Sequence, residues 1–516
     1  MSVKFLVKRN TYYDSVTLMI ITKEIRKIEG VNEGLVAMAT DLNKELARNL
    51  NLINRELEGL TPNDFFIAVN LDEDAIFEEV KERVEELLNK KKMDTEDYNP
   101  PTLDSAIKYM PDANLVLISL PGEYAAAEAK KALLNDRHVM LFSDNVSIED
   151  EVELKKLAKT RGLLMMGPDC GTAIINNVAL AFANVLKKGP VGIVGASGTG
   201  IQEVTVVLDR LGVGVSQVIG TGGRDLKAEV GGIMMIEGIR ALQQDPDTEV
   251  IVLISKPPIP EVAEKVLCVL QEGNKQSVVC FVGGSPQMVE KYGAVPGLTL
   301  EDTAYKAASL VKGEPIIRDI TDFTINNADE IVEAEVKKFK KGQKYLRALY
   351  TGGTLCDEAL NILSSSVGGV YSNIPLDPEL KLKDVRASYK HTALDLGEDE
   401  FTRGRPHPMI DPFVRQERLV KEAEDGEVAV ILMDFVLGYG VHPDPAGEMI
   451  QYIKKAREIA EKEGRYLCFV GSVCGTEADP QNRAEQEAKL RKEGVILMPS
   501  NAQAVRFVSE IISRLE

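Results

Sequence analysis

Val191-Gly-Ile-Val-Gly-Ala-Ser-Gly-Thr199 runs as a short apolar strand into a small-residue turn, and the amphipathic stretch Ile201–Leu211 follows it. A strand, a glycine-rich turn and a helix in that order open a βαβ unit, whose next strand lies parallel to the first. The second half of the chain repeats the arrangement with Leu346-Arg-Ala-Leu-Tyr-Thr-Gly-Gly-Thr354. Downstream of each, Thr248–Pro258 and Glu427–Leu437 supply a matching buried-strand pattern. A duplicated flavodoxin-like unit is the simplest explanation, and independent use of a common βα turn is the alternative.

The same rhythm extends in both directions. Short apolar runs at Val191–Gly195, Glu249–Ile254, Ser277–Val282, Val428–Met433 and Tyr466–Gly471 have the composition of buried parallel strands. Amphipathic segments at Asp72–Asn89, Glu123–Asn135, Pro445–Glu463 and Gln481–Glu493 separate such runs. Alternation of this kind predicts an α/β fold, with open parallel sheets covered by helices on both faces. Two stretches interrupt it: the polar Lys91–Asp112 with Pro100-Pro101, and the charged Asn326–Lys344, which reads as an exposed helix or linker. The expected units are therefore an N-terminal α/β subdomain (1–90), a Rossmann-like region (91–188), a first ligase-like domain (189–325), a charged linker (326–343) and a second ligase-like domain (344–516).

Composition narrows the function classes. The chain has 516 residues, 44% hydrophobic and 27% charged, with a formal net charge of -19. So acidic a protein is a poor nucleic-acid binder, and an anionic substrate needs local positive potential from helix N-termini and a few arginines. No run reaches the roughly 18–20 apolar residues of a membrane span, and residues 1–10 have no signal-peptide pattern. The six cysteines are scattered, without C-x-x-C pairs or zinc spacing. A cytoplasmic location is expected, with no metal centre, no membrane and no nucleic acid.

Gly195-Ala-Ser-Gly-Thr-Gly200 has the physics of an anion site. Backbone N–H groups can approach an oxyanion, Ser197 or Thr199 can donate a hydroxyl, Gly198 opens the helix, and the helix dipole adds about half a positive charge. The loop lacks a Walker lysine and is not a dinucleotide G-x-G-x-x-G. Tight βα packing explains it equally well. Gly352-Gly353-Thr354 offers a second helix start, and two such starts facing each other would concentrate positive potential on one anion. Gly222, Gly223 and Arg224 form another βα loop that either touches the anion or is solvated.

The loop Phe401–Asp411 gathers Arg403, Arg405 and His407 around Pro406 and Pro408. The arginines could clamp a carboxylate or phosphate, and His407 could move a proton. A surface loop paired to acidic neighbours is the other reading. His442, in Leu437-Gly-Tyr-Gly-Val-His-Pro-Asp-Pro445, is a second acid/base candidate, with Asp444 either orienting it or capping the next helix. Cys170 reads as a small buried side chain rather than a nucleophile, and Asp169 as a turn former or a ligand.

Met166-Gly-Pro-Asp-Cys-Gly171, Gly192–Thr199, Val218-Ile-Gly-Thr-Gly-Gly223 and Asp245-Pro-Asp-Thr-Glu-Val250 resemble, in this order, the α subunit of succinyl-CoA synthetase. Tyr350–Thr354, Leu394-Asp-Leu-Gly397, Val430–Asp434 and Gly471–Gly475 resemble the ligase domain of its β subunit. Together with Asn10–Ser15 and Phe401–Pro408, the fusion resembles the FdrA family. The resemblance covers about residues 110–516 and implies two flavodoxin-like synthetase ligase domains without an ATP-grasp domain. It also exposes three departures. Where Phe281-Val-Gly-Gly284 resembles the strand end that precedes the synthetase's phosphohistidine, the following segment carries Gly293-Ala-Val295, and no histidine occurs between His138 and His391. The ATP-grasp domain has no room, and the early G-x-T-G-x-x-G loop for CoA is missing from residues 1–60.

The resemblance then implies a subunit of an acyl or carbamoyl transferase, with oxamate carbamoyltransferase (oxalurate and phosphate to oxamate and carbamoyl phosphate) as the leading expectation. Its substrate would be a small anion: phosphate, carbamoyl phosphate or a carboxylate. Companion subunits and an oligomeric assembly are expected, no cofactor is required, and CoA is a possible ligand despite the missing loop. The alternatives are an acyl-CoA synthetase subunit that borrows ATP-grasp from a partner, or a non-catalytic scaffold in which Arg403 and Arg405 are dispensable.

Overall fold

Ser2–Lys8 (β1), Val31–Met38 (β2) and Phe65–Leu71 (β3) form the first sheet of the computed structural model, in the order β1-β3-β2. The structure describes residues 2–515 apart from 10, 12, 14, 53–54, 91–99, 317–319, 321–322 and 403–404, so the Asn10–Ser15 motif lies partly outside it and Arg403 wholly so. The chain divides into two compact units, 1–109 with 403–405, and 110–402 with 406–516.

In the first unit β3 pairs antiparallel with both neighbours. This corrects the expectation of parallel sheets throughout: β1 and β2 are a split pair, and β3 fills the gap between them. Phe-Phe-Ile-Ala-Val-Asn-Leu is an almost unbroken buried run, and such a run reads alike for a parallel strand and a central antiparallel one. Leu18 and Ile21 of one helix and Val80 and Val84 of another cover one face, while Ala47, Leu52 and Leu57 cover the other.

The second unit begins with a small parallel sheet of Leu115–Ile118 (β4), His138–Leu141 (β5) and Met165–Met166 (β6). Next come Thr172–Ile175 (β7), Val178–Ala181 (β8), Lys188–Gly195 (β9), Val215–Gly220 (β10), Val250–Ser255 (β11), Gln276–Phe281 (β12) and Val295–Pro296 (β13), ordered β13-β12-β11-β9-β10-β7-β8. The hairpin β7–β8, ahead of the boundary expected at 189, adds to this sheet antiparallel to β10. The last sheet comprises Tyr345–Tyr350 (β14), Tyr371–Ser372 (β15), Thr392–Asp395 (β16), Val428–Val436 (β17), Cys468–Cys474 (β18) and Ile496–Met498 (β19), ordered β15-β16-β14-β17-β18-β19.

Both large sheets share one plan. Counted from the strand before the glycine turn, β10-β9-β11-β12-β13 runs 2-1-3-4-5, the flavodoxin order, and β16-β14-β17-β18-β19 runs the same way once the two-residue edge strand β15, which falls between β14 and β16 in the chain, is set aside. The helices that matter most are Gly198–Arg210 (α1), Leu300–Lys312 (α2), Gly353–Ser364 (α3), Pro445–Lys462 (α4) and Asn501–Ser513 (α5). One apolar core crosses both halves: Ile193, Val252 and Ala304 belong to the same cluster as Ala348, Leu360 and Phe507. The charged stretch at 326–343 is not an exposed linker, because Ala328–Val336 is a helix whose Ala328 and Val332 are buried, Val332 within that core.

Candidate functional site

α1 and α3 each follow the first strand of their sheet, so the 2-1-3-4-5 plan places both helix starts at carboxyl ends of parallel strands, where open α/β sheets bind ligands. Ser197 caps α1, its Oγ accepting from the Gly200 N–H at 3.1 Å. The same Oγ lies 2.7 Å from Thr354 Oγ1, two residues into α3. The reciprocal contact completes the pattern: a Cβ on Gly352, the cap position of α3, would fall 3.0 Å from the Cβ, Cγ2 and Oγ1 of Thr199. Gly352 makes no side-chain cap. Two helix starts therefore abut, each directing its first-turn N–H groups and about half a unit of positive charge to one place.

The loop before α3 is held from beneath. Asp434, fully buried in β17, accepts from Thr351 N–H at 2.8 Å, Thr351 Oγ1–H at 3.0 Å and Gly352 N–H at 2.7 Å. Buried Arg415 balances its charge at 3.1 Å. On the α1 side the 221–225 loop is fixed by Lys155, fully buried and donating to Glu151, Asp225 and the Thr221 carbonyl. Gly222, at φ +82°, sits so near Pro168 that an added Cβ would overlap the Pro168 carbonyl oxygen. Gly223 faces Asp169, the latter's Oδ2 3.6 Å from its Cβ position. Arg224 is engaged elsewhere, its Nε 2.9 Å from Glu151 and its Nη2 donating to the Val146 carbonyl.

Titratable groups ring the helix starts. Asp395 ends β16, accepts from Gly397 N–H at 2.8 Å and places Oδ2 2.5 Å from the Cβ position of Gly353. Burial, then the nearby Glu398, push its carboxyl up to about 8. Asp169 is exposed as a residue, yet partial burial of its carboxyl, with Asp144 and Glu398, raises it to about 7. Burial also raises Glu398 and Asp357. Lys256, at the end of β11, pairs with Asp357 at 2.7 Å.

His407 joins this group. Its Nδ1 accepts from Met409 N–H at 3.2 Å, which leaves the proton of the neutral ring on Nε2. Nε2 is 2.6 Å, and Asp395 Oδ1 3.1 Å, from the point a Cβ on Gly397 would occupy. Burial drops His407 to about 4, so the ring is neutral at pH 7. It packs on Phe182 with centroids 5.7 Å apart. His442 is tied differently, its Nδ1 accepting from Asp444 N–H and its Nε2 3.7 Å from Glu448. Asp444 caps α4 through Gly447 N–H. Arg405 is exposed and groups with the first unit, whereas the helix starts belong to the second. Cys170 is buried and its thiol pushed up to about 12, in keeping with a small packed side chain.

Lys256, Asp357, Asp395, Asp434 and Arg415 were not among the residues singled out from sequence as site groups. A usable signal exists for three of them: Asp395, Asp434 and Lys256 are lone charges at or near the ends of apolar strands (Thr-Ala-Leu-Asp, Val-Ile-Leu-Met-Asp, Val-Leu-Ile-Ser-Lys). Among the described residues no His/Cys/Asp/Glu group is arranged to hold a metal ion, and no helix is long and apolar enough to cross a membrane.

A family model described as CoA-ligase matches residues 349–511, one for a CoA binding domain matches 186–283, and one described as AllF, heavy metal-associated domain matches 1–101. The uncharacterized protein YahF of Escherichia coli (strain K12) is 47% identical over 520 residues, covering all of both chains. Subunit alpha 2 of the ADP-forming succinate–CoA ligase of Archaeoglobus fulgidus is 28% identical over 149 residues, 28% of this chain and 50% of that one. The chain thus spans about half the length of that subunit. Among solved structures, a dinucleotide-forming acetyl-coenzyme A synthetase 1 of Ca. Korarchaeum cryptofilum matches at 15% identity and a TM-score of 0.28, over 78% of this chain and 83% of that chain.

Proposed function

We propose a function that starts from kinship: this chain belongs to the same protein family as Escherichia coli YahF, and its two ligase-type halves serve acyl transfer to and from phosphate. The reading is an acyl-CoA-synthetase-type subunit of the FdrA kind. The observation that carries it is the abutment of α1 and α3, with Ser197 Oγ 2.7 Å from Thr354 Oγ1 and Thr199 against Gly352. Paired helix starts suit the phosphate of an acyl phosphate. The acceptor, a coenzyme A thiol, attacks the acyl carbon, the C–O bond to phosphate breaks, and phosphate departs as the thiol loses its proton. Helix N–H groups stabilise the charge that collects on the leaving phosphate. Asp395, neutral at pH 7 and set against the first turn of α3, is placed to exchange a proton with it.

ATP and any phosphohistidine would come from companion subunits, because no histidine lies between His138 and His391. That same fact favours a second reading, carbamoyl transfer without a phosphohistidine. There a phosphate oxygen attacks the carbamoyl carbon of oxalurate, the C–N bond breaks, and oxamate leaves with a proton on nitrogen. One experiment separates the readings. The full chain, alone and with its copurifying subunits, is given acetyl phosphate and coenzyme A, or oxalurate and phosphate, and followed by 31P NMR. Acetyl-CoA formation supports the first reading and carbamoyl phosphate the second. Either product should fall at least tenfold in Ser197→Ala/Thr354→Val, and no product in any arm rejects both.

A further inference from the structure

Lys256 reaches from the end of β11 in one half to α3 in the other, and it bears on which anion the helix starts take. Lys256 leaves β11 two residues after Ile254, whose Cγ2 lies 3.2 Å from the Cβ position of Gly200 in the first turn of α1. From there its Nζ reaches Asp357 Oδ2, in the second turn of α3, at 2.7 Å. The Lys256 side chain remains 54% exposed, whereas that of Asp357 is 10% exposed. The ammonium thus spans from one half to the other with its own surface still open to water.

The charge around it makes this placement consequential. Asp395 and Glu398 both act on Lys256 in the same direction as Asp357, holding it protonated against the penalty of burial. Two helix starts offer together about one unit of positive charge, and that suffices for a singly charged carboxylate. A phosphate group carries close to two negative charges near neutral pH, and it would meet carboxylates on this side of the pocket. A mobile ammonium is the group that balances such a ligand.

We propose that Lys256 is the phosphate-binding cation of the site, resting on Asp357 when the pocket is empty and turning to the phosphate oxygens when it is filled. The proposal rests on the anion-pocket reading given above and adds its selectivity: a doubly charged tetrahedral oxyanion is preferred to a small carboxylate. Asp357 is then a competitor for Lys256. Removing its charge while keeping its shape should improve binding, and a pair that only braces the two halves would not behave so.

The test uses the full chain and inorganic phosphate, titrated by calorimetry at pH 7.5 and fixed ionic strength, with acetate as the singly charged comparison. Lys256→Ala should weaken phosphate binding roughly tenfold, the scale of one charge-assisted hydrogen bond, and leave acetate little changed. Asp357→Asn should tighten phosphate binding several-fold, and the double variant should match Lys256→Ala. Thermal unfolding of each variant separates binding from folding, and Asp357→Asn carries the test alone if Lys256→Ala does not fold. Equal phosphate affinity in wild type and Lys256→Ala, or weaker binding in Asp357→Asn, overturns the role of Lys256 and leaves the pocket standing. Failure of the wild type to bind phosphate at all overturns the pocket and Lys256 together.

Discussion

Glu203 and Glu358 stand six residues beyond Ser197 and Gly352 in their respective helices, and each caps a helix of the opposite half. Glu203 accepts the Asn501 N–H at the start of α5 at 3.0 Å, and Glu358 accepts the Leu300 N–H at the start of α2 at 2.7 Å. Asn501 links the two, donating from Nδ2 to Glu358 at 2.8 Å. A lost cap costs about 1 kcal/mol and a stranded buried donor about 1–3 kcal/mol. Glu203→Ala and Glu358→Ala should therefore each destabilise the second unit by about 2–3 kcal/mol. Because they share Asn501, the double variant should lose less than the sum. Urea unfolding of the four proteins measures this, and strict additivity would refute the coupling.

Gly352→Ala tests the abutment without removing any polar group. Its φ of -100° is open to any residue, so the penalty comes only from the new methyl, 3.0 Å from three atoms of Thr199. Overpacking of this kind costs about 1–3 kcal/mol. Thr199→Ser/Gly352→Ala should recover part of the stability and of the phosphate affinity. Unchanged melting and affinity in Gly352→Ala would mean the helix starts are further apart than described.

Asp434→Ala should be among the most damaging single changes. It strands three donors and leaves Arg415, 2% exposed, without its counter-charge. Breaking a buried pair from one side costs about 3–5 kcal/mol. Asp434→Asn/Arg415→Met, which removes both charges, should be markedly more stable than Asp434→Ala in a thermal melt.

Asp395 and His407 tilt the pH dependence in opposite ways. Asp395 titrates near 8 in the fold and near 3.9 in an unfolded chain. The folded state holds a proton that the unfolded state has lost, so this contribution is whole below about pH 4 and declines as pH rises toward 8. Asp395→Asn mimics the protonated form and should gain stability over wild type at pH 8.5, with little gain at pH 4. His407, near 4 in the fold against about 6.5 unfolded, instead costs stability as pH falls from 6.5 to 4. His407→Gln should flatten that acid limb. Melting temperatures across pH 4–9 read both effects, and parallel curves for wild type and Asp395→Asn would contradict the first.

The two ligase-type halves were legible because their signals are local: an apolar strand, a glycine turn and an amphipathic helix lie within twenty or so residues each time. Ser197, Thr199, Gly352 and Thr354 were readable as helix starts for the same reason. What sequence could not supply was long-range pairing. Lys256 meets Asp357, Asp395 and His407 both crowd Gly397, and Arg224 turns to Glu151, all across loops or whole elements. The helix at Ala328–Val336 hid its buried face because that face, Ala328, Val332 and Glu335, is set among charges and itself includes one. The antiparallel β3 gave no warning because burial on both faces erases the alternation that marks direction.

The core that runs unbroken from Val252 to Phe507 carries a consequence for dilution. Where a site between two such halves is assembled from separate polypeptides, its occupancy falls as the subunits are diluted. Here the two halves are covalently tethered, so each faces the other at an effective concentration in the millimolar range or above. The paired helix starts should stay assembled at any protein concentration a cell or an assay can reach.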